Sequence, residues 1–306
     1  MSSYRAVSYS AVSYSTGLCS AGYSSTMRIA RFATPEGVSF GVVEGNPDTP
    51  STCTIRQVDE LPWDGQPVFT DKKFLLPDVR LLAPIFPTKI VAVGKNYIDH
   101  ARELGGQTTD EPVIFIKPPT SIIGPDAPIR RPAVSQRVDH EGELAVIINQ
   151  PCHNVDAADA RRVILGYTIA NDVTARDIQA AEGQWTRAKS YDTFCPLGPW
   201  IETQLDPSDQ DILVEVIHAD GTSEVRQDEN TAAVVHTVSE IIEFVSSVMT
   251  LLPGDVILTG TPAGIGPLVE GDTVTVSIDG IGTLSNPVVN ACLLYTSDAA
   301  DEGLGV

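Results

Sequence analysis

Short apolar runs, rich in β-branched residues and bounded by glycine, proline or aspartate, recur along most of the chain. A run of about four to eight such residues between turn formers is typical of a β-strand. Six are prominent: KIVAVG (89–94), PVIFIK (112–117), ELAVII (143–148), GYTIAND (166–172), ILVEVIHA (212–219) and DVILTG (255–260). The body of the protein is therefore predicted to be rich in strands.

Two turn signals predict β-hairpins near the two ends of this region. The segment PEG (35–37) separates two β-rich runs that follow Met27. The pair DG (279–280) follows the alternating residues of DTVTVSI. An Asp-Gly pair beside alternating apolar residues is a strong signal for a tight hairpin.

One segment has helical periodicity. Its apolar residues recur every three or four positions and share one face. They are Val238, Ile241, Ile242, Val245, Val248 and Met249. Thr237 and Glu240 have the spacing of a capping box, and Pro253 with Gly254 ends the segment. We interpret this helix as part of the scaffold.

Changes in composition divide the chain into four parts. Residues 1–26 repeat AVSYS and are dominated by serine and tyrosine, which predicts a disordered extension. A small N-terminal β domain is predicted over 27–80 and the main domain over 81–290, with the boundary inside the proline-interrupted LLPDVRLLAPIFPTK. From residue 291 the sequence ACLLYTSDAADEGLGV lacks the alternating pattern of the preceding strands, and we interpret it as a non-native tail.

The order of these elements argues against the nucleotide-binding folds. Strands do not alternate regularly with helices, as a doubly wound sheet requires. The stretch TGTPAGIGPLVEG contains Gly264 and Gly266, but Val269 stands where a dinucleotide fingerprint needs its third glycine. No Walker motif is present. The predicted class is therefore α+β with a predominance of strands.

Net charge narrows the choice of partners. The chain has 40 acidic and 20 basic residues, a formal charge of -20. Such a surface repels phosphate backbones and anionic lipids, so nucleic acid and membrane are not expected partners. An anionic substrate would need a local positive centre, either lysine and arginine side chains or a bound metal cation.

Two further features favour the cytoplasm. No apolar run reaches the roughly 18 residues that a membrane-spanning helix needs. The five cysteines are scattered without a C-x-x-C pair, so neither a disulfide framework nor a zinc knuckle is indicated. Reduced thiols in a cytoplasmic protein are expected.

Two glutamates stand at the entrance of an apolar run in DHEGELAVII (139–148). If the strand begins at Glu141, alternation places Glu141 and Glu143 on one face. Asp172 ends another apolar strand. Three buried carboxylates repel one another unless a cation or a proton neutralises them, and oxygen-only ligation suits Mg²⁺ or Mn²⁺. The alternatives are a solvated strand end for the glutamates and a turn cap for Asp172. His140 faces away from the pair, so a zinc site is less favoured.

A histidine and a glutamate lie three residues apart in VGKNYIDHARELG (93–105). On one helical turn His100 and Glu103 can form a hydrogen bond, which fixes the imidazole tautomer and makes the other nitrogen more basic. The pair could act as a general base. The alternative is an exposed helix with mixed charges.

Cationic and amide side chains follow the proposed ligand Asp172 in TARDIQ (174–179) and WTRAKSYDTFCPLGP (185–199). Arg176, Gln179 and Lys189 could contact carboxylate or enolate oxygens of a substrate. The alternative is a solvated loop, which suits Arg187 better than Lys189. Cys195 has no evident partner base and is interpreted as a packed thiol.

Together these segments resemble the fumarylacetoacetate hydrolase family, in the prokaryotic branch of acylpyruvate hydrolases, oxaloacetate decarboxylases and hydroxymuconate or hydroxyheptadienedioate isomerases. The resemblance extends from about Met27 to Asn290. Its motifs stand in the family's order: VGKNYIDHARELG, HEGELAV, NDVTARDIQ, AKSYDTFCPLGP and PGDVILTGTPAGIGPLVEGD. It implies a mixed β-roll with peripheral helices, a small β domain in front, and a homodimer.

The resemblance also implies roles for individual residues. Glu141, Glu143 and Asp172 resemble the family's Mg²⁺ or Mn²⁺ ligands. His100 and Glu103 resemble its water-activating pair on a lid that orders over the substrate. The remaining implied residues are a catalytic Lys189 and the substrate contacts Arg176, Gln179 and Thr261.

By resemblance, the expected activity is metal-dependent cleavage of a C–C bond in a β-diketo acid of the acylpyruvate type, releasing pyruvate. Decarboxylation of oxaloacetate and isomerisation of an unsaturated 2-oxo diacid remain alternatives, because they use the same enolate chemistry. A non-catalytic, metal-stabilised binding protein is the alternative from another class. It would bind metal without turnover, and the intact H-x-x-E pair argues against it.

Overall fold

The computed structural model describes residues 26–46, 49–61, 63 and 67–291. The disordered extension predicted over residues 1–26 and the non-native tail predicted from residue 291 therefore fall almost wholly outside the described residues. Within those residues no helix is long and apolar enough to span a bilayer.

Strands are the main regular element of the described structure, and they far outnumber the helices. In chain order they are β1 (Arg28–Thr34), β2 (Gly37–Glu44), β3 (Thr54–Val58), β4 (Phe69–Leu75), β5 (Arg80–Leu82), β6 (Ile90–Gly94), β7 (Val113–Lys117), β8 (Ile122–Ile123), β9 (Ile129–Arg131), β10 (Val138–His140), β11 (Gly142–Ile148), β12 (Ile164–Asn171), β13 (Thr174–Ala175), β14 (Cys195–Glu202), β15 (Asp211–Ile217), β16 (Ser223–Asn230), β17 (Val256–Leu258), β18 (Gly266–Pro267), β19 (Thr273–Ile278) and β20 (Gly282–Asn290).

Helices are few and mostly short. The α-helices of the described segments are α1 (Ile98–Glu103), α2 (Arg176–Ala181), α3 (Thr186–Lys189) and α4 (Val238–Val248). Short 3-10 helices span Pro50–Thr52, Leu76–Asp78, Pro119–Ser121, Ala157–Val163 and Thr231–Ala233.

One large mixed sheet organises the molecule. Its strand order is β4-β3-β2-β1-β14-β12-β11-β17-β6-β7, with β5 paired to β1 and β8 paired to β14. Strands β17 and β6 are parallel, whereas β11 pairs antiparallel with both β12 and β17. A second sheet has the order β16-β15-β19-β20-β9, and a third, β13-β10-β18.

The hydrophobic core lies on both faces of the large sheet. On one face, Leu144 and Val146 of β11 pack with Val214 of β15, Val276 of β19 and Ile241 of α4. The other face contributes to a second cluster around β17, β6 and the N-terminal strands. Alternation along a strand is what divides the side chains between the two clusters.

The predicted elements are present. All six apolar runs form strands, and hairpins join β1 to β2 and β19 to β20. The scaffold helix begins with the capping box of Thr237 and Glu240. The proline-interrupted segment contains one short strand, β5. The first strand also pairs with β14, so the N-terminal strands continue the large sheet; the domain limits at 80 and 290 stay predictions.

Candidate active site

Three carboxylates meet where β11 begins and β12 ends. Glu141 lies between β10 and β11, Glu143 is the second residue of β11, and Asp172 follows β12. One oxygen of each side chain lies within 4.8 Å of the other two, and all three are buried. The N–H of Asp172 donates to the carbonyl of Glu141 at 2.8 Å. The predicted cluster is present, although its strand begins at Gly142 and not at Glu141.

Gly142, between the two glutamates, has a packing reason. A Cβ added there would lie 2.5 Å from a methyl carbon of Val214 on β15. Only glycine lets the five-stranded sheet approach the large sheet this closely at that point. The same residue separates Glu141 and Glu143, so their side chains point to the same side.

Three cationic side chains surround the carboxylates. Lys189 Nζ donates to Glu141 Oε2 at 2.6 Å and to Asp172 Oδ2 at 2.7 Å. Lys117 Nζ donates to Asp172 Oδ1 at 2.5 Å and to the carbonyl of Lys189 at 2.6 Å. Arg176 donates to Glu141 Oε1. Among the described residues, no cationic side chain is bonded to Glu143.

The pKa values of the two glutamates move in opposite directions. Burial raises the pKa of Glu141, but Lys189 and Arg176 lower it more, so this carboxyl stays ionised. Burial, with the negative charges of Asp172 and Glu141, raises the pKa of Glu143 well above its ordinary value. Burial lowers the pKa of Lys189, but Asp172 and Glu141 raise it further, above the ordinary value. A bound cation would therefore supply the positive charge that the environment of Glu143 lacks.

The predicted histidine and glutamate form a pair on α1. His100 Nδ1 lies 3.2 Å from Glu103 Oε2, and the His100 side chain is buried. Glu103 also accepts from the N–H of Gly264 at 3.2 Å. This arrangement favours the tautomer with the proton on Nδ1, which leaves Nε2 as the basic nitrogen.

One cavity is lined by both His100 and the three carboxylates. His100, Glu141, Glu143, Asp172, Lys189 and Thr261 all line it. Its free volume is about 10 Å³, room for about one water molecule. Phe115 and Trp185 form an apolar side of the cavity, with ring centroids 5.4 Å apart. A larger cleft of about 500 Å³ lies on the opposite face of β11, and none of the residues that line the smaller cavity lines it.

The other predicted site residues differ in their position. Gln179 and Thr261 line the cavity. Arg176 lies behind Glu141, and its guanidinium is shared among Glu141, Gln179 and Asp139. The Thr261 hydroxyl donates to the carbonyl of Gly142 at 2.9 Å. All three predicted substrate contacts therefore already have protein partners.

The side chains for which the sequence favoured no role in the site lie outside the cavity. Arg187 is exposed and pairs with Glu182. Cys195 is buried, and burial raises its pKa to about 12, as suits a packed thiol. His140 Nδ1 lies 3.3 Å from Gln227 Oε1, away from the carboxylates.

Sequence reasoning missed three contributors. Lys117 is a lysine with no exposed surface; only its position at the end of an apolar strand before Pro118 hinted at burial. Asp139 accepts from Arg176 Nε at 3.0 Å. The N–H of Gly260 donates to Glu143 Oε2 at 2.7 Å. A backbone donor leaves no signature in side-chain types.

The donor set fits a divalent cation. The cluster offers only carboxylate oxygens, and one oxygen of each residue lies within 4.8 Å of the other two. Among the described residues, Glu143 has no cationic side chain bonded to it. Hard cations such as Mg²⁺ and Mn²⁺ prefer oxygen ligands of this kind.

Comparison with known proteins identifies the family of the chain. The family described as "Fumarylacetoacetate (FAA) hydrolase C-terminal" matches residues 89–289, and "Rv2993c-like, N-terminal" matches residues 27–84. The chain belongs to the fumarylacetoacetate hydrolase family. The resemblance inferred from the motifs is confirmed, and so are the strand-rich fold and the expectation of an enzyme.

Three proteins similar to this chain have names that describe a reaction. The crystal structure of a 2-hydroxyhepta-2,4-diene-1,7-dioate isomerase from Mycobacterium marinum has a TM-score of 0.79 and 53% identity, over 86% of this chain and 98% of that chain. The mitochondrial oxaloacetate tautomerase FAHD2A of Homo sapiens is 37% identical over 87% of this chain and 93% of its own length. A maleylpyruvate hydrolase from Sphingobium sp. SYK-6, solved with manganese(II) and pyruvate, has a TM-score of 0.69 and 33% identity, over 87% of this chain and 100% of that chain.

Proposed function

We propose that the protein is a divalent-metal-dependent tautomerase or isomerase of 2-oxo acids, acting on a substrate of the oxaloacetate or hydroxyheptadienedioate type. The reaction moves a proton between carbon and oxygen, or between two carbons, next to a 2-oxo group. Sequence analysis had placed hydrolysis first. The names of the isomerase and tautomerase relatives support the change, because both are more similar to this chain than the maleylpyruvate hydrolase is.

The observation on which the proposal depends is that one cavity contains both a carboxylate cluster and a histidine base. Glu141, Glu143, Asp172 and His100 line the same small space. A site for a cation beside a basic imidazole is what proton removal from the carbon next to a carbonyl requires. A protein that only stored metal would not need the imidazole there.

Each side chain then has a part in the proton transfer. When bound, a divalent cation at the carboxylates supplies positive charge for the carboxylate and 2-oxo oxygens of the substrate. His100 removes a proton from C3 through Nε2, and Glu103 stabilises the resulting imidazolium through Nδ1. Lys189 lies where negative charge develops on the 2-oxo oxygen. Return of the proton to oxygen gives the enol, and return to another carbon gives the isomer.

Hydrolysis of an acylpyruvate is the second candidate, and the one-water space beside His100 favours it. In that reaction the imidazole would take a proton from water, and the oxygen would attack the distal carbonyl. The C–C bond would break, and the pyruvate half would leave as its enolate and take up a proton at C3.

A single set of assays distinguishes the reactions. Purified protein with Mg²⁺ or Mn²⁺ is mixed with the enol form of oxaloacetate, with acetylpyruvate and with fumarylpyruvate. Loss of enol absorbance without pyruvate release indicates tautomerisation, and we expect this result with oxaloacetate. Pyruvate release from oxaloacetate indicates decarboxylation, and release from the acylpyruvates indicates hydrolysis. Isomerisation of 2-hydroxyhepta-2,4-diene-1,7-dioate is followed by absorbance in a parallel assay. Absence of both tautomerisation and isomerisation in the metal-loaded protein would reject the proposal.

The metal and the assembly are part of the same proposal. We expect Mg²⁺ or Mn²⁺ at the three carboxylates and a homodimer in the cytoplasm. Calorimetric titration of each metal and light scattering of the purified protein measure these two properties directly.

A further inference from the structure

Two lysines line the cavity, and their ammonium groups differ in their partners. Lys189 is held by Glu141 and Asp172. Lys95 also lines the cavity and is only partly exposed. Within the described ranges Lys95 forms no ion pair. In a protein with a formal charge of -20, a lysine at the active-site cavity without a carboxylate partner is unusual, since acidic neighbours are abundant.

The backbone holds Lys95 in this position. Its φ is 59°, a left-handed conformation that residues other than glycine rarely adopt. Hydrogen bonds fix the next residue, Asn96. Its side-chain amide donates to the carbonyls of His236 and Thr259 at 3.0 and 2.8 Å. It also accepts from the N–H of His236 at 2.8 Å. The bend after β6 is therefore fixed, and it places the Lys95 side chain at the cavity.

The ammonium group lies beside the segment that follows α1. A Cβ added to Gly106 would be 3.2 Å from Lys95 Nζ. Leu104, on the same segment, also lines the cavity. This side of the cavity therefore combines an apolar side chain with a cation, and the carboxylate cluster is formed by other strands.

We propose that Lys95 binds a second carboxylate, at the end of the substrate distant from the 2-oxo group, and so determines a preference for dicarboxylic 2-oxo acids. This inference rests on the proposed function, because the first carboxylate and the 2-oxo oxygen must be held at Glu141, Glu143 and Asp172. Leu104 then faces the carbon chain between the two ends. A carboxylate at Lys95 would also connect β6 to the segment after α1.

Binding of matched non-reacting acids tests this role. The Mn²⁺-loaded protein is titrated by calorimetry with 2-oxoglutarate and 2-oxopentanoate, and with the longer pair 2-oxoadipate and 2-oxohexanoate. The acids of each pair differ only in the distal carboxylate, and two lengths allow for the reach of Lys95. Lys95→Met removes the charge, Lys95→Arg keeps it, and Lys72→Met removes a lysine that pairs with Glu36 on the surface.

The expected result is selective. Lys95→Met should weaken binding of at least one dicarboxylic acid by about 10- to 100-fold, the range for a lost charged hydrogen bond, while its monocarboxylic partner and Mn²⁺ bind within about twofold of the parent. Lys95→Arg should restore most of the loss, and Lys72→Met should change nothing. Equal losses for both acids of a pair, or no loss for either, would overturn the role of Lys95. Failure of the parent to bind Mn²⁺ or any of the acids would reject the proposed function and this inference together.

Discussion

The two ends of the parallel pair β6 and β17 both contain buried carboxylates, but the negative charge is neutralised differently at each end. At the end where the strands begin, Asp255 has no exposed surface. It accepts from the Thr88 hydroxyl at 2.6 Å, from the N–H of Lys89 at 3.1 Å and from the N–H of Leu252 at 2.8 Å. The Lys89 ammonium also pairs with it. The single negative charge of Asp255 is therefore balanced by the Lys89 ammonium and by three further hydrogen-bond donors.

At the other end, beyond Gly94 and Gly260, one of the three carboxylates lacks this balance. Glu141 is bonded to Lys189 and Arg176, and Asp172 is bonded to Lys189 and Lys117. Among the described residues, Glu143 has one backbone donor and no cation bonded to it. Its raised pKa is the electrostatic consequence.

The difference distinguishes a structural carboxylate from a functional one. A buried charge that is fully paired stabilises the position of a loop and needs nothing more. A buried cluster with one unpaired member gains stability from an additional cation, so folding alone does not explain it. Changes at the two ends should therefore separate stability from chemistry.

The largest effect is expected at His100. His100→Ala removes the base and leaves the carboxylates intact, so tautomerisation or hydrolysis should fall by about 10²- to 10⁴-fold. Steady-state kinetics measures the loss, and Mn²⁺ titration should show little change. Decarboxylation of oxaloacetate should be less affected, because it needs an electron sink more than a base. A variant with the parent's rate on every substrate would make α1 an ordinary surface helix.

Glu143→Gln should abolish tight metal binding without unfolding the protein. The amide keeps the shape of the side chain but lacks the charge, and we expect metal affinity to fall by at least about 100-fold, the upper range for losing even an outer-shell partner. Without metal, the melting temperature should be no lower than the parent's, since Glu143 is the carboxylate with the raised pKa. Normal Mn²⁺ binding by this variant would rule out the carboxylate site.

Asp255→Asn is the matched change at the opposite end, again a buried carboxylate replaced by its amide. It should lower the free energy of unfolding by about 2 kcal/mol, because Lys89 loses its partner and charged hydrogen bonds become neutral. Urea denaturation measures this. Metal affinity and turnover per folded molecule should stay at the parent's values; a loss of metal binding here would show that the two ends are coupled.

Lys89→Met should have the smallest effect. The Lys89 side chain is 21% exposed, and Asp255 keeps three other donors, so the expected loss of unfolding free energy is about 1 kcal/mol. The same urea experiment applies. A loss larger than that of Asp255→Asn would mean that the ion pair, and not the set of donors, stabilises this end.

Much of the local structure could be predicted because its causes are local. The strand runs, the two hairpins and the capping box of α4 depend on residues within a few positions of one another. The side-chain alternation of β11 also follows from its own residues, which is why Glu141 and Glu143 could be placed on one side. The H-x-x-E pair could be predicted for the same reason, since one helical turn brings its members together.

Contacts between distant segments could not be predicted in this way. Lys117 reaches Asp172 across 55 positions, and the N–H of Gly260 reaches Glu143 across 117. Arg176 was expected to face the substrate, yet the fold engages it with Glu141 and Asp139. The lack of an ion pair at Lys95 within the described residues could not be inferred either, because it depends on every neighbour that the fold supplies.

The sequence by itself determined which chemical groups are present, their local geometry and, through its motifs, the family. The tertiary structure alone decided which of these groups share a cavity and which are neutralised before a substrate arrives. The physical reason is that propensity, alternation and capping act over a few residues, whereas burial and Coulomb interactions depend on distance in space. Glu143 and Asp255 are both acidic residues at the ends of strands, and only the surrounding fold makes one a candidate ligand and the other a structural support.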